Sequence, residues 1–156
     1  MMKASDEKKV KEIARKAAEA GGRAYYVGGF VRDRLLGLPT KDIDVEIHGI
    51  FPDKLRKIVA SEGTVLEMGE SFGIFSLKGT DIDIAMPRKE TVTGRGHRDF
   101  DVSVDPFIGV ERAAARRDFT VNALMEDVLT GEILDHFGGV EDLRAGVLRH
   151  VNDKSF

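Results

Sequence analysis

Cysteine is absent from this 156-residue chain, so disulfides, thiolate nucleophiles and cysteine-ligated zinc or iron–sulfur centres are excluded. Tryptophan is also absent, and the aromatic content of 7% provides no dense stripe for base stacking. Four histidines leave little from which to build a histidine metal site. No apolar run approaches the roughly 20 residues needed to span a bilayer, and the charged, lysine-rich start is no secretory signal. No membrane partner and a cytoplasmic address are the expectations that follow. An excess of positive charge is lacking too. With 24 basic against 27 acidic side chains, the net charge is −3, so any nucleic-acid binding must rest on local clusters.

What remains is an ordinary composition, 42% hydrophobic and 33% charged, at a length that fits one domain with a short appendage. The periodicity predicts a first amphipathic helix from Ser5 to Ala20, with Val10, Ile13, Ala17 and Ala18 near one face. Gly21-Gly22 stops it. A buried strand, Ala24-Tyr25-Tyr26-Val27, breaks at Gly28-Gly29 into a helix from Phe30 to Leu36. Next, the alternation Asp42-Ile43-Asp44-Val45-Glu46-Ile47 places three carboxylates on one strand face and three apolar side chains on the other. Pro52 opens a helix to Ala60. Thr64 to Met68, Gly73 to Leu77 and Asp81 to Ala85 read as short strands. The stretch from Pro87 to Pro106 lacks usable periodicity and is expected to be a mobile loop. Helices are expected from Val110 to Arg116 or Arg117 and over Phe119 to Met125. A strand at Glu132 to Leu134, a turn at Gly138-Gly139, a short helix around Asp142 and a strand at Val147 to His150 complete an α+β pattern.

Two stretches carry chemistry. In the first, a strand ending in Gly28-Gly29 and opening a helix exposes backbone N–H groups at the positive end of that helix, which attracts phosphate. Arg32, on the first turns, offers a guanidinium fork for phosphate oxygens. A plain strand–helix turn is the bland alternative. Asp42 and Asp44 then share one strand face, where their mutual repulsion is relieved by solvent or, better, by a divalent cation; Mg2+ prefers carboxylates together with substrate phosphates. An anion site and a cation site facing one pocket is what metal-assisted phosphoryl or nucleotidyl transfer requires. Asp83 is the candidate third carboxylate, its alternative being a polar residue on an exposed face. Asp81 ranks below it, and Glu46 is read as solvated or structural.

The second stretch is Arg116-Arg117-Asp118-Phe119-Thr120-Val121-Asn122. Two adjacent arginines offer forks for a triphosphate, and Asp118 and Asn122 offer polar groups for a ribose. A helix cap at Asp118 and a surface amide at Asn122 are the simpler readings.

Taken together, Gly28-Gly29-Phe30-Val31-Arg32-Asp33-Arg34-Leu35-Leu36-Gly37, Lys41-Asp42-Ile43-Asp44 and Ala115-Arg116-Arg117-Asp118-Phe119-Thr120-Val121-Asn122-Ala123 resemble the head domain of the class II tRNA nucleotidyltransferases. That group comprises the CCA-adding enzymes and bacterial poly(A) polymerases, within the DNA polymerase beta-like superfamily. Asp135, Gly138, Gly139, Asp142, Leu143, Leu148 and Arg149 are similar to the family's next motif. The resemblance implies a nucleotidyltransferase fold, a small mixed, mostly antiparallel sheet flanked by helices. It implies Mg2+ on Asp42 and Asp44, beside which Asp83 stays the candidate third catalytic carboxylate. Gly28, Gly29, Arg32, Arg116 and Arg117 would meet the triphosphate of CTP or ATP, and Asp118 and Asn122 the ribose. The acceptor would be a tRNA or other RNA 3′-hydroxyl, with Arg88, Lys89, Arg95, His97 and Arg98 near the primer backbone.

The implied organisation is an N-terminal helix over residues 1–23, a head domain over 24–137 and the start of a neck junction over 138–156. The family's helical neck, body and tail would lie beyond the sequence, including the neck helix whose Glu-Asp-x-x-Arg motif reads the incoming base. The expectation is therefore the head of a longer enzyme. Its function would be CCA addition, with poly(A)-type tailing or a catalytically incomplete nucleotide-binding head as the alternatives.

Overall fold

The computed structural model describes residues 2–67, 73–92 and 100–152, and the side chains of Glu67 and of residues 90–102 are left aside. Element order is α1 (Ala4–Glu19), β1 (Arg23–Val27), α2 (Gly29–Leu35), β2 (Ile43–His48), α3 (Pro52–Ala60), β3 (Val65–Glu67), β4 (Ile74–Leu77) and β5 (Ile82–Ala85). There follow β6 (Arg88–Val92), β7 (Phe100–Val104), α4 (Val110–Ala115), a 3-10 turn (Thr120–Asn122), β8 (Met125–Asp127), β9 (Ile133–Leu134) and α5 (Gly139–Ala145). Seven strands form one sheet in the order β3-β4-β5-β2-β1-β8-β9. Among the described residues, only the β2–β5 pairing is parallel and every other neighbour in this sheet is antiparallel, in line with the expected α+β class.

The alternation in β2 divides the sheet into two unlike faces. Ile43, Val45 and Ile47 are buried, and with Ile82 and Ile84 of β5 they meet the apolar stripes of α1 (Val10, Ile13, Ala14, Ala17) and α3 (Leu55, Ile58, Val59). Each such aliphatic side chain contributes roughly 1.5–3 kcal/mol by leaving water. α1 therefore shares the main core with the sheet.

On the opposite face, Tyr25, Val27 and Met125 pack with Ala114 of α4, Ala123 and, from the tail, Val151. This second layer covers β1 and β8. The neighbouring part of the face, over β2 and β5, carries Asp44, Glu46 and Asp83, and a cleft opens there.

Three expectations need correction. Pro87 to Pro106 is not a structureless loop: β6 and β7 form an antiparallel ribbon from Arg88↔Val104 to Val92↔Phe100, closed at its base by Asp105 N–H donating to the Pro87 carbonyl. A two-stranded ribbon takes its order from cross-strand backbone bonds, so its sequence need not alternate. The helix expected over Phe119 to Met125 is a single 3-10 turn followed by β8, because Met125 is drawn into pairing with Val27 of β1. The strand expected at Val147 to His150 reduces to one bridge, Phe119↔His150. Residues 68–72, 93–99 and 153–156 lie outside the described residues; they include Met68, Arg95, His97 and Arg98.

Candidate nucleotide and metal site

The site begins at the end of β1. Gly28 adopts φ 69°, ψ −148°, a region only glycine occupies without strain, and the chain turns there directly into α2. A Cβ on Gly28 would lie 3.7 Å from Nη1 of Arg117 and 3.9 Å from Oδ2 of Asp44. One turn thus brings together three groups read from three separate motifs. At Gly29, a Cβ would sit 3.1 Å from Nη2 of Arg32, so the guanidinium of Arg32 lies over the second glycine.

Asp44 of β2 and Asp83 of β5 are register partners on adjacent parallel strands. Ser76, the partner of Asp83 on β4, donates its Oγ–H to Asp83 Oδ1 at 2.7 Å. Burial, followed by the charge of Asp83, pushes the Asp44 carboxyl above its ordinary value; Arg117 pulls it down and Asp42 adds a smaller push upward. Asp42 itself is exposed, just before β2 begins. Asp81 also precedes its strand, and its carbonyl accepts the Ile43 N–H at 2.8 Å.

A cleft of about 300 Å³ lies over this face, with Asp44, Glu46, Asp83, Arg88, Arg116 and Arg117 among its lining residues. Three strand carboxylates and three arginines thus share one cleft. Arg116 Nη1 donates to the Arg88 carbonyl at 3.1 Å, which ties the end of α4 to the base of the β6–β7 ribbon.

A second polar cluster joins α2 to the 3-10 turn. Arg32 Nη1 donates to Asn122 Oδ1 at 2.8 Å, and Arg32 Nε donates to Asp33 Oδ1 at 3.0 Å. Asn122 Nδ2 donates in turn to Asp118 Oδ1, which also accepts the Phe119 N–H. The Asn122 hydrogen bond holds the Asp118 carboxyl below its ordinary value, against the opposing effect of burial. Asp118 and Asn122 thus tie their own turn together and orient Arg32; Asp118 makes no side-chain cap on the 3-10 turn, and Asn122 is half-buried instead of a surface amide.

Among the described residues, no group of three or more carboxylates and imidazoles is drawn together closely enough to hold a metal ion. The donor set nevertheless fits a hard divalent cation. Asp44 and Asp83 present oxygens side by side, the charges of Asp83 and Asp42 both strain Asp44, and Mg2+ commonly takes only one or two carboxylates with water and phosphate completing its shell.

Glu46 was not anticipated as part of the site. It is buried at 8% exposure rather than solvated, and it lines the cleft. Its place in the Asp42-Asp44-Glu46 alternation was the available signal. Ser76 had no such signal, since only the pairing of β4 with β5 brings it to Asp83.

A glycine turn facing carboxylates on the central strands of a mixed sheet places the chain in the nucleotidyltransferase-fold class. Residues 24–149 match the poly A polymerase head domain family, and the chain belongs to that family. The multifunctional CCA protein of Methylobacillus flagellatus is 42% identical over 130 residues, which cover 83% of this chain and 30% of that protein. Among solved structures, the Bacillus stearothermophilus CCA-adding enzyme in complex with CTP superposes with a TM-score of 0.76 at 30% identity, over 99% of this chain and 36% of that one. The Thermotoga maritima CCA-adding enzyme complexed with tRNA gives 0.72 at 29% identity, over 94% and 33% respectively. The chain thus spans about a third of the length of the relatives it matches. Among the described residues, no helix is long and apolar enough to cross a membrane.

Proposed function

We propose that this chain is the catalytic head of a Mg2+-dependent nucleotidyltransferase that transfers a nucleoside monophosphate from CTP or ATP to an RNA 3′-hydroxyl, with the tRNA 3′ end as acceptor. The observation that carries the reading is the meeting of Gly28, Asp44 and Arg117 within about one atomic contact, with Asp83 in register beside Asp44. In this reading residues 24–137 are the head, residues 1–23 its N-terminal helix, and residues 138–156 begin a neck junction. The working place is cytoplasmic.

Each residue then has a task. The turn at Gly28-Gly29 lets the triphosphate approach the backbone closely, where a side chain would stand in the way. Arg32, oriented by Asn122, and Arg117, with Arg116 beside it, bind phosphate oxygens. Asp118 and Asn122 bound the ribose. Asp44 and Asp42 would hold Mg2+, and Asp83 would orient the attacking hydroxyl for in-line displacement of pyrophosphate. When bound, the metal supplies Lewis-acid stabilisation of the charge that develops on the phosphate.

The test is incorporation of α-labelled CTP or ATP into a tRNA transcript lacking its 3′-terminal CCA, in Mg2+. Transfer that is lost in Asp44→Ala supports the reading. Transfer to any RNA 3′ end without preference for tRNA favours poly(A)-type tailing, and nucleotide binding without transfer leaves only the binding head. Full activity of Asp44→Ala defeats the proposal.

A further inference from the structure

Glu46 sits in the middle of the central strand pair, beneath a cleft lined by arginines. A carboxylate in that position opposes polyphosphate binding by simple charge repulsion. Buried ion pairs are often replaceable by apolar side chains without loss of stability, so burial by itself gives no reason for a carboxylate here. Its surroundings indicate a different use. Oε1 accepts the Nε2–H of His48 at 2.7 Å, while Oε2 lies 3.7 Å from Nη2 of Arg117. His48 is held in turn by the edge-to-face Tyr25 ring, with centroids 5.4 Å apart and planes at 90°. Tyr25 is also the register partner of Glu46.

Arg117 follows α4, and its side chain is about a third exposed. Its other terminal nitrogen, Nη1, reaches toward the Gly28 turn.

We propose that Glu46, braced by His48, is the positioning residue for Arg117 and holds its guanidinium between the strand floor and the Gly28 turn, where the nucleotide phosphates are read. The proposal rests on the assignment of Arg117 to the nucleotide. With its oxygens directed at His48 and Arg117, Glu46 stands outside the metal-holding carboxylates.

The experiment measures Mg·CTP binding to the full chain by calorimetry, with circular dichroism and thermal melts as controls for folding. Glu46→Gln keeps the shape and removes the charge. If the residue acted only through its charge, this change would tighten binding; loss of the brace instead weakens it, by about five- to tenfold. Glu46→Asp keeps the charge but draws it back by one methylene, and the same direction of change is expected. The double variant Glu46→Gln with Arg117→Ala should bind no more weakly than Arg117→Ala alone. Unchanged or tighter binding in both Glu46 variants overturns the proposal.

If Arg117→Ala itself leaves Mg·CTP affinity intact, the nucleotide assignment of Arg117 fails instead. The brace then remains testable in the free protein by 15N NMR of the guanidinium. Its rotation should be slow in the parent chain and faster in Glu46→Gln, and equal rates defeat the brace.

Discussion

Asp44 and Asp83 are partners across the single parallel strand pair of the sheet, so two carboxylates project from the same face on neighbouring strands. The arrangement is costly without a counter-ion. Burial and the charge of Asp83 raise the Asp44 carboxyl, and a carboxyl raised on folding weakens the fold as pH climbs through that raised value. Without a counter-ion the acidic pair is thus tolerated rather than stabilising.

Asp83→Asn should therefore stabilise the chain in the absence of divalent ions, because it removes the like charge yet leaves an oxygen for the Ser76 hydroxyl. About 1 kcal/mol is expected after solvent screening, or a rise of roughly 2–5 °C in Tm. Melts in chelator and in Mg2+ check this: Mg2+ should raise the Tm of the parent chain and do so much less in Asp83→Asn. A lower Tm for the variant in chelator would show that the two carboxylates are not in mutual strain.

Gly28→Ala should cost about 1–3 kcal/mol, since alanine has no relaxed conformation at φ 69°, ψ −148°. The added methyl makes only ordinary contact with Arg117 and Asp44, so nucleotide affinity should fall through the shifted turn and not through a clash. Gly29→Ala meets only the far end of the Arg32 side chain, which can shift, and should be milder on denaturant melts. Equal effects at the two glycines would contradict this assignment of roles.

Asn122→Ala removes the acceptor that orients Arg32 across a sequence separation of 90 residues. Mg·CTP binding should weaken in Asn122→Ala and in Arg32→Ala, and the two losses should not add. A coupling of about 1 kcal/mol in a double-mutant cycle is the expected outcome. Strict additivity would mean that the two side chains act separately.

Asp142 joins α5 to the 3-10 turn by accepting the Thr120 Oγ1–H at 2.6 Å, with Arg149 Nε also donating to it at 3.3 Å. The closeness depends on Gly139, where a Cβ would lie 2.3 Å from the Thr120 carbonyl oxygen. The Thr120 hydrogen bond, opposed by burial and aided by Arg149, holds the Asp142 carboxyl below its ordinary value. For a carboxyl depressed by folding, the stabilising contribution is complete above the ordinary value of about 4 and fades as pH falls through the depressed one. Asp142→Asn should accordingly melt below the parent chain at neutral pH, and the gap should narrow below about pH 4. A gap that persists unchanged into acid would place the effect in packing, not in the charge.

Much of this fold was legible along the chain wherever local pattern and burial agree. The α3 helix runs over Pro52–Ala60 as its proline start and apolar spacing predict. The alternation from Asp42 to Ile47 separated core from cleft correctly, because period two leaves no other arrangement for a half-buried strand. The β6–β7 ribbon and the short turn at Thr120–Asn122 were not legible. Their conformations are set by cross-strand pairing and by Met125 joining β1, neither of which leaves a local periodicity.

The site divides in the same way. A double glycine at a strand end, carboxylates on alternate strand positions and adjacent arginines are written in residue type and spacing, and they marked Gly28, Asp44 and Arg117 as candidates. Their convergence belongs to the sheet: pairing β2 with β5 sets Asp83 beside Asp44, and β4 delivers Ser76 to it. Glu46 makes the distinction plainest. Its sequence position puts it on the polar face, but only the covering layer and the hydrogen bond from His48 decide that it is buried and paired. Burial and pairing are properties of what lies across the gap, and a chain read residue by residue carries no record of its neighbours in space.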